Sequence, residues 1–176
     1  MTTSEYEFVL VIDGTVDDDE VIDRLYEAGC ADATFGSVDG VGFGEFAREA
    51  GSFADAVSSA IRHVESVDGL EVRRVEPDDL VTMSEIAERL GRTRESVRLI
   101  AAGDRGKGDF PAPVSHLRSR FRLWRWSDVA SWAQVTSAEE RDRARFVAVL
   151  NAGLEMRRIK VLSSEERRSV EELAAG

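Results

Sequence analysis

Thr82-Met83-Ser84-Glu85-Ile86-Ala87-Glu88-Arg89-Leu90-Gly91, followed after Arg92 by Thr93-Arg94-Glu95-Ser96-Val97-Arg98, is the stretch on which the reading of the fold turns. Thr82 and Glu85 have capping-box spacing, in which each side chain bonds the other's otherwise unpaired backbone N–H at a helix start. Gly91 ends that helix, where the chain must turn sharply and a Cβ would clash. Thr93 caps a second helix. Ala87 is small where the two helices cross, and Val97 is a branched apolar residue that seals the second helix onto the first. Ile86 and Leu90 complete this core. The spacing predicts a helix-turn-helix whose second helix, 93–102, leaves Arg94, Glu95, Arg98 and Ala102 outward, a face suited to phosphates and base edges.

The pattern continues downstream with Phe110-Pro111-Ala112-Pro113 and with Leu123-Trp124-Arg125-Trp126-Ser127-Asp128-Val129-Ala130-Ser131-Trp132. Together with Ile86-Ala87, Leu90-Gly91, Thr93 and Val97-Arg98, these segments make residues 80–133 resemble the winged helix-turn-helix of the MerR-like and AlpA/excisionase-type DNA-binding proteins. Chains of that kind run from an Ile-Ala-x-x-Leu-Gly helix through Thr/Ser-x-x-x-Val-Arg and Phe-Pro-x-Pro. A hairpin wing and a Trp-x-x-x-Asp-Val-x-x-Trp helix come next. Several linked parts match, which is far more specific than a lone helix-turn-helix pattern. One departure is the insert Gly103-Asp104-Arg105-Gly106-Lys107-Gly108-Asp109, where the family keeps recognition-helix length and an aromatic. The second helix is therefore expected to end near Ala102, ahead of a flexible basic loop.

The wing, Val114 to Arg125, is expected to be a hairpin with Ser115 to Arg120 at its tip. Arg118, Arg120 and Arg122 alternate, so on a strand they share one face. Such a row suits the phosphate backbone or a minor groove; an ordinary solvated strand face is the other reading. Trp124, Trp126 and Trp132 are expected in the wing root and core rather than as base-stacking platforms. The expected DNA-binding set is Arg92, Thr93, Arg94, Glu95, Ser96 and Arg98 on the helix, Arg105 and Lys107 in the loop, and His116, Arg118, Arg120 and Arg122 on the wing.

A chain of 176 residues has room for one or two small domains with real cores. Its net charge of −11 opposes nucleic-acid binding only when taken as an average. Residues 1–79 hold 20 acidic and 5 basic side chains, net −15; residues 80–134 hold 6 and 10, net +4; residues 135–176 hold 8 of each. The positive segment coincides with the expected reader, as electrostatic attraction to DNA requires. The acidic segment should face away from the duplex. The change of sign also marks a boundary near Glu76-Pro77-Asp78-Asp79. The single cysteine, Cys30, excludes an internal disulfide and is expected to be a buried thiol. Met1 to Glu7 lacks the basic-then-apolar pattern of a signal peptide, and no apolar run is long enough for a bilayer. A cytoplasmic location is expected.

Residues 1–77 read as an α+β unit. Tyr6 to Ile12 is a strand with Tyr6, Phe8, Leu10 and Ile12 on one face. A helix opened by the acidic run Asp17 to Glu20 is expected to bury Val21, Ile22, Leu25 and Tyr26. Two strands, 33–38 and 41–46, flank Asp39-Gly40, a two-residue hairpin signal. Ser52 caps a helix carrying Phe53, Ala56, Val57, Ala60, Ile61 and Val64 at helical spacing. Leu70 to Val75 closes the order β-α-β-β-α-β, the ferredoxin-like arrangement. Glycines 40, 42 and 44 make no dinucleotide fingerprint, since Glu45 follows and no helix starts there; close hairpin packing accounts for them. His63 has no cysteine or second histidine nearby, and Asp17-Asp18-Asp19-Glu20 lacks the glycine turn and distal glutamate of a calcium loop. Val9 and Val11 are apolar on the sheet face away from the helices, which suggests a surface for dimerisation or for the C-terminal helices.

From Thr136 onward, residues 135–176 read as helical. Ser137 with Glu140, and Ser163 with Glu166, have capping-box spacing. Phe146, Val147, Leu150 and Leu154 lie toward one side, and Asn151-Ala152-Gly153 is expected to break or bend the helix. Glu139 to Arg145 reads as a solvated face.

The expected whole is an acidic ferredoxin-like interaction domain, a winged helix-turn-helix and C-terminal helices. The expected function is sequence-specific binding of double-stranded DNA by a homodimeric transcriptional regulator. One alternative is an excisionase-like DNA-bending recombination accessory factor. Another is an antitoxin or adaptor whose acidic domain binds a protein partner. No nucleophile–base pair, metal-ligand spacing or phosphate loop emerges, so neither enzymatic activity nor a cofactor is expected, nor is a membrane partner.

Overall fold

A computed structural model of the chain describes residues 3–106, 108–134 and 137–175. Among these residues the fold is α+β, with seven α-helices, a four-stranded antiparallel sheet and a separate two-stranded sheet. The chain divides into two units, Pro77–Ala148 and a first unit made of Met1–Glu76 with Val149–Gly176. The sequence-predicted third region is thus shared: its part up to Ala148 falls in the second unit and the rest in the first.

In the first unit the elements are β1 (Ser4–Asp13), α1 (Asp19–Glu27), β2 (Ala33–Val38), β3 (Val41–Ala50), α2 (Phe53–Glu65) and β4 (Glu71–Glu76). The sheet order is β2-β3-β1-β4. Strict alternation along β1 buries Tyr6, Phe8, Leu10 and Ile12 and leaves Val9 and Val11 half-buried on the other face. Asp39 (φ 52°) and Gly40 (φ 79°) both take left-handed backbone, the requirement of the two-residue turn that matches strand twist. Gly44 leaves room for the Phe35 ring, which a Cβ there would meet at 2.7 Å. Asp18 caps α1 by accepting from the Glu20 and Val21 N–H groups, and Asp17 accepts from Ser37 Oγ. Two members of the acidic run therefore hold local structure. Tyr26 is a correction: it is exposed, because α1 turns only Leu25 fully inward. Ser52 caps α2, whose Ala56, Val57, Ala60, Ile61 and Val64 are buried.

Arg48 is the one charged side chain placed inside this core by β3, only 6% exposed. Its guanidinium donates to both Asp32 oxygens at 2.7 and 2.8 Å, to Gly29 O at 2.8 Å and to Ser59 Oγ at 3.1 Å. These bonds tie the α1–β2 connection and α2 to the sheet, and they hold the Asp32 carboxyl below the usual carboxylate range. His63 Nδ1 lies 3.1 Å from Gly29 O at the edge of this cluster. Cys30 is buried beside it, and burial pushes its thiol pKa up.

A long helix, α6 (Ala138–Met156), continues through Asn151-Ala152-Gly153 without a break, contrary to expectation. Asn151 does something other than interrupt the helix. Its buried side-chain amide accepts from Val75 N–H at 2.8 Å and donates to Val75 O at 3.0 Å. β4 is an edge strand, so this amide satisfies backbone groups that would otherwise template another strand. Arg157, in a 3₁₀ turn (Arg157–Val161), pairs with Glu65 of α2. A last helix, α7 (Ser164–Ala175), starts at the predicted Ser163–Glu166 reciprocal cap. The Ser137–Glu140 cap of α6 is likewise formed. No helix among the described residues is long and apolar enough to cross a membrane.

In the second unit, β5 (Leu80–Thr82) leads directly into α3 (Met83–Arg89), and α4 (Arg94–Ala101) follows. β6 (Leu123–Arg125) pairs antiparallel with β5, and α5 (Trp126–Ala133) comes straight after it. Val81, Ile86, Ala87, Val97, Trp124 and Val129 form the core, with Met83, Leu90, Phe110 and Trp126 packed on its edge.

Candidate nucleic-acid interface

α3 and α4 owe their positions to short-range chemistry that the residues dictate. Thr82 and Glu85 close the reciprocal cap, with Thr82 N–H to Glu85 Oε2 at 2.7 Å and Glu85 N–H to Thr82 Oγ1 at 3.3 Å. Gly91 has φ 60°, a left-handed residue just past the C-terminus of α3 where a side chain would be strained. Thr93 caps α4 through Ser96 N–H. Val97 and Ile100 are buried on the inner side of α4, which fixes its rotation. Arg94, Glu95 and Arg98 are exposed as a consequence, and so are Arg92 and Thr93 before them, while Ser96 is half-buried. The helix ends at Ala102, as the glycine-rich insert predicts.

Arg98 and Glu95 form a bidentate pair on this exposed face, at 2.8 Å (Nε to Oε2) and 2.7 Å (Nη2 to Oε1). The hydrogen bonds from Arg98 hold the Glu95 carboxyl below its usual range and raise the Arg98 pKa in turn. Glu95 thus carries its charge throughout the neutral range, and it restrains two of the guanidinium nitrogens of its neighbour.

The segment predicted as a long hairpin wing is shorter and tighter than expected. A single antiparallel bridge, Ser115–Leu123, closes it, and between them residues 117–121 form turns and bends rather than strand. Arg118, Arg120 and Arg122 therefore do not alternate along a strand. Leu123 pairs with Thr82 of β5 on one side and with Ser115 on the other, and the chain leaves the ladder at once because His116 turns it back toward Ser119. Inside the loop, Ser119 N–H donates to His116 O at 2.8 Å and Phe121 N–H donates to Ser119 Oγ at 3.0 Å. His116 has φ 54°, so a non-glycine residue is held in left-handed backbone at the turn.

A cleft of ≈ 490 Å³ lies between α4 and this loop, lined by Arg94, Glu95, Arg98, Ser119, Arg120, Arg122, Met83 and Trp124. Four of the arginines in the sequence-predicted set converge there. Arg118, His116 and Arg105 do not line it, although all three are exposed, and Lys107 lies outside the described residues. The cleft floor continues toward Pro111 and Pro113 past Arg98, Arg122 and Trp124. Trp124 is buried and donates its indole N–H to Pro111 O at 3.1 Å, and Trp132 donates to Gly108 O at 2.9 Å. Phe110 meets Trp132 edge-on at 5.0 Å, and the Arg89 guanidinium lies 5.0 Å from the Trp126 ring centre. Trp124 and Trp132 thus pin the 108–111 segment, while Trp126 packs at the edge of the core.

Sequence reasoning missed Asp79, which stood only as a boundary marker. Its buried carboxylate accepts from Ser127 N–H at 2.7 Å, Ser127 Oγ at 3.1 Å and Arg125 at 3.4 Å. Its backbone oxygen accepts from Trp126 N–H. α5 has no side-chain cap from its own N-cap residue, Arg125, so Asp79, just before β5 and next to Arg125 across the strand pair, caps it instead. The acidic residue preceding Leu-Val-Thr was the only signal available.

Among the described residues, no group of three or more His, Cys, Asp or Glu side chains is placed to hold a metal ion. No family model matches the chain, and neither a curated protein nor a solved structure does.

Proposed function

We propose that the chain is a cytoplasmic, sequence-specific double-stranded DNA-binding protein acting as a transcriptional regulator. The observation that carries this reading is the convergence of Arg94, Arg98, Arg120 and Arg122 on one open cleft beside a capped, core-anchored helix. Four cations around a groove with one carboxylate paired to Arg98 suit a phosphodiester strand next to base edges. On this reading the second unit is a winged helix-turn-helix of the MerR-like or excisionase type, with α4 as recognition helix and the tight 114–122 loop as its wing. The insert after Ala102 and the short wing depart from that pattern. The first unit, with its β-α-β-β-α-β order and β2-β3-β1-β4 sheet, is ferredoxin-like. Its acidic charge keeps it off the duplex, and its half-buried Val9 and Val11 support association with a second copy or a protein partner. A dimer also suits a reader this small, which offers few specific contacts alone.

The test is selection of bound duplexes from a random-sequence pool by the full chain, followed by a footprint. Recovery of one motif, repeated or inverted, is the expected result. Recovery of unenriched sequence would refute specific recognition.

A further inference from the structure

Among the described residues, the second unit exposes three of its large apolar side chains, and all three sit in the loop 114–122: Val114, Leu117 at 60% and Phe121 at 62%. At the other described positions of that unit such residues are at least half-buried, so the loop is an exception that folding does not explain. Nor is the loop loosely built. The Ser115–Leu123 bridge, the His116–Ser119 turn and the Phe121 N–H to Ser119 Oγ bond all constrain it. Apolar side chains held out in water by a constrained turn gain nothing from folding, and a patch of them marks a contact surface.

The chemistry of the neighbours says what covers it. Leu117 and Phe121 are interleaved with Arg118, Arg120 and Arg122, and the Arg120 guanidinium lies over the Phe121 ring at 4.8 Å. A surface that alternates apolar and cationic groups needs a partner that alternates apolar and anionic ones. Duplex DNA has this character in the minor groove, where sugar rings and base edges lie between two rows of phosphates and an opened step offers apolar base faces. Arg120 and Arg122 also line the cleft against α4, so a strand followed by those arginines leads directly to the loop. Resting on the DNA-binding reading above, we infer that Leu117 and Phe121 form a wedge that enters the minor groove and partly unstacks one base step. Arg120 then exchanges the Phe121 ring for a phosphate, which frees the aromatic face to stack on a base. Flexible pyrimidine–purine steps are the ones that open at least cost, so the wedge also contributes specificity at positions that no polar side chain touches.

Partial unstacking unwinds the duplex, and that can be read without knowing the preferred site. The full chain is bound to a closed-circular plasmid, the plasmid is relaxed with a topoisomerase, and its linking number is measured after the protein is removed. The wild type should leave the plasmid underwound. The double variant Leu117→Ser with Phe121→Ser should not, while retaining plasmid on a filter to within about tenfold, because phosphate contacts set most of the affinity. Both side chains are exposed, so unchanged tryptophan fluorescence is the check that the fold persists. Wild-type protein that retains plasmid yet leaves its linking number unaltered would overturn the wedge and leave DNA binding standing. A double variant that underwinds as fully as the wild type would overturn it equally. Failure of the wild type to retain plasmid at all would refute the DNA-binding reading itself and the wedge with it. A dimer in sedimentation without DNA that the double variant loses would assign these side chains to contact between copies instead.

Discussion

Replacing Asp79 by alanine tests whether a residue distant in sequence caps α5 and so holds the second unit together. The carboxylate is 1% exposed and serves two buried donors of Ser127, its N–H and its hydroxyl. Leaving a buried donor without an acceptor costs about 1–3 kcal/mol each, and relief of the carboxylate's own desolvation offsets part of that. A further fraction comes from losing a negative charge at a helix N-terminus. The net expectation is a destabilisation of about 2–4 kcal/mol. A unit of this length is stable by roughly 4–11 kcal/mol, so the loss is a large share of it. The backbone bond from Trp126 N–H to Asp79 O survives the substitution, so β5 should stay beside α5 until unfolding begins. Urea unfolding followed by tryptophan fluorescence isolates the effect, because Trp124, Trp126 and Trp132 all lie in the second unit. With a slope of about 1 kcal/mol per molar, the midpoint should fall by about 2–4 M. Arg125→Ala is the control: its pair with Asp79 is long and half-exposed, and its loss should cost less than about 1 kcal/mol. If Asp79→Ala shifted the midpoint no further than Arg125→Ala, the capping argument would be wrong.

Other substitutions address the cleft and the first unit. Glu95→Gln should release Arg98 and remove a charge that repels phosphate, raising affinity for unrelated duplexes by several-fold while discrimination falls; equal affinity for selected and scrambled duplexes before and after would contradict this. Arg120→Ala with Arg122→Ala should make the slope of log affinity against log salt shallower by about two, whereas Arg118→Ala, outside the cleft, should change it less. In the first unit, Asp32 has a folded pKa below its ordinary 3.8, so its contribution to stability is complete above that value and is lost as pH falls through the lower folded pKa. Asp32→Asn should remove this acid dependence, seen by circular dichroism in a pH series. It should also cost about 3 kcal/mol at neutral pH, because Arg48 is left buried without its counter-charge.

What could be read from the residues was what depends on neighbours a few positions apart. Thr82 with Glu85, Thr93, Ser52, Ser137 with Glu140 and Ser163 with Glu166 all cap as their spacing predicts, because a cap involves only residues within about one turn of backbone. The inward faces of β1, α2 and α4 follow from period-two and helical spacing for the same reason. The features that escaped depend on partners far along the chain. Arg48 lies beyond the predicted strand 41–46 and drew no reading, because its partners Asp32, Gly29 and Ser59 are all more than ten positions away. Asn151 read as a helix breaker, although its amide has the edge of β4 to bond. The loop 114–122 lost its expected strand because His116 takes left-handed backbone and turns the chain one residue after the Ser115–Leu123 bridge, leaving Arg118 apart from Arg120 and Arg122. Tyr26 was misplaced since a short amphipathic helix does not reveal where its apolar stripe ends.

The most direct test of the central claim is the affinity of the full chain for a short duplex as a function of salt, followed by fluorescence anisotropy. Each phosphate neutralised contributes about −0.9 to the slope of log affinity against log salt, so four cleft arginines predict a slope of about −3 to −4. Binding that weakens along such a line, and that Arg94→Ala with Arg98→Ala makes shallower, is the predicted result. No binding at the lowest salt, or binding whose slope is unaffected by removing those arginines, would contradict the account.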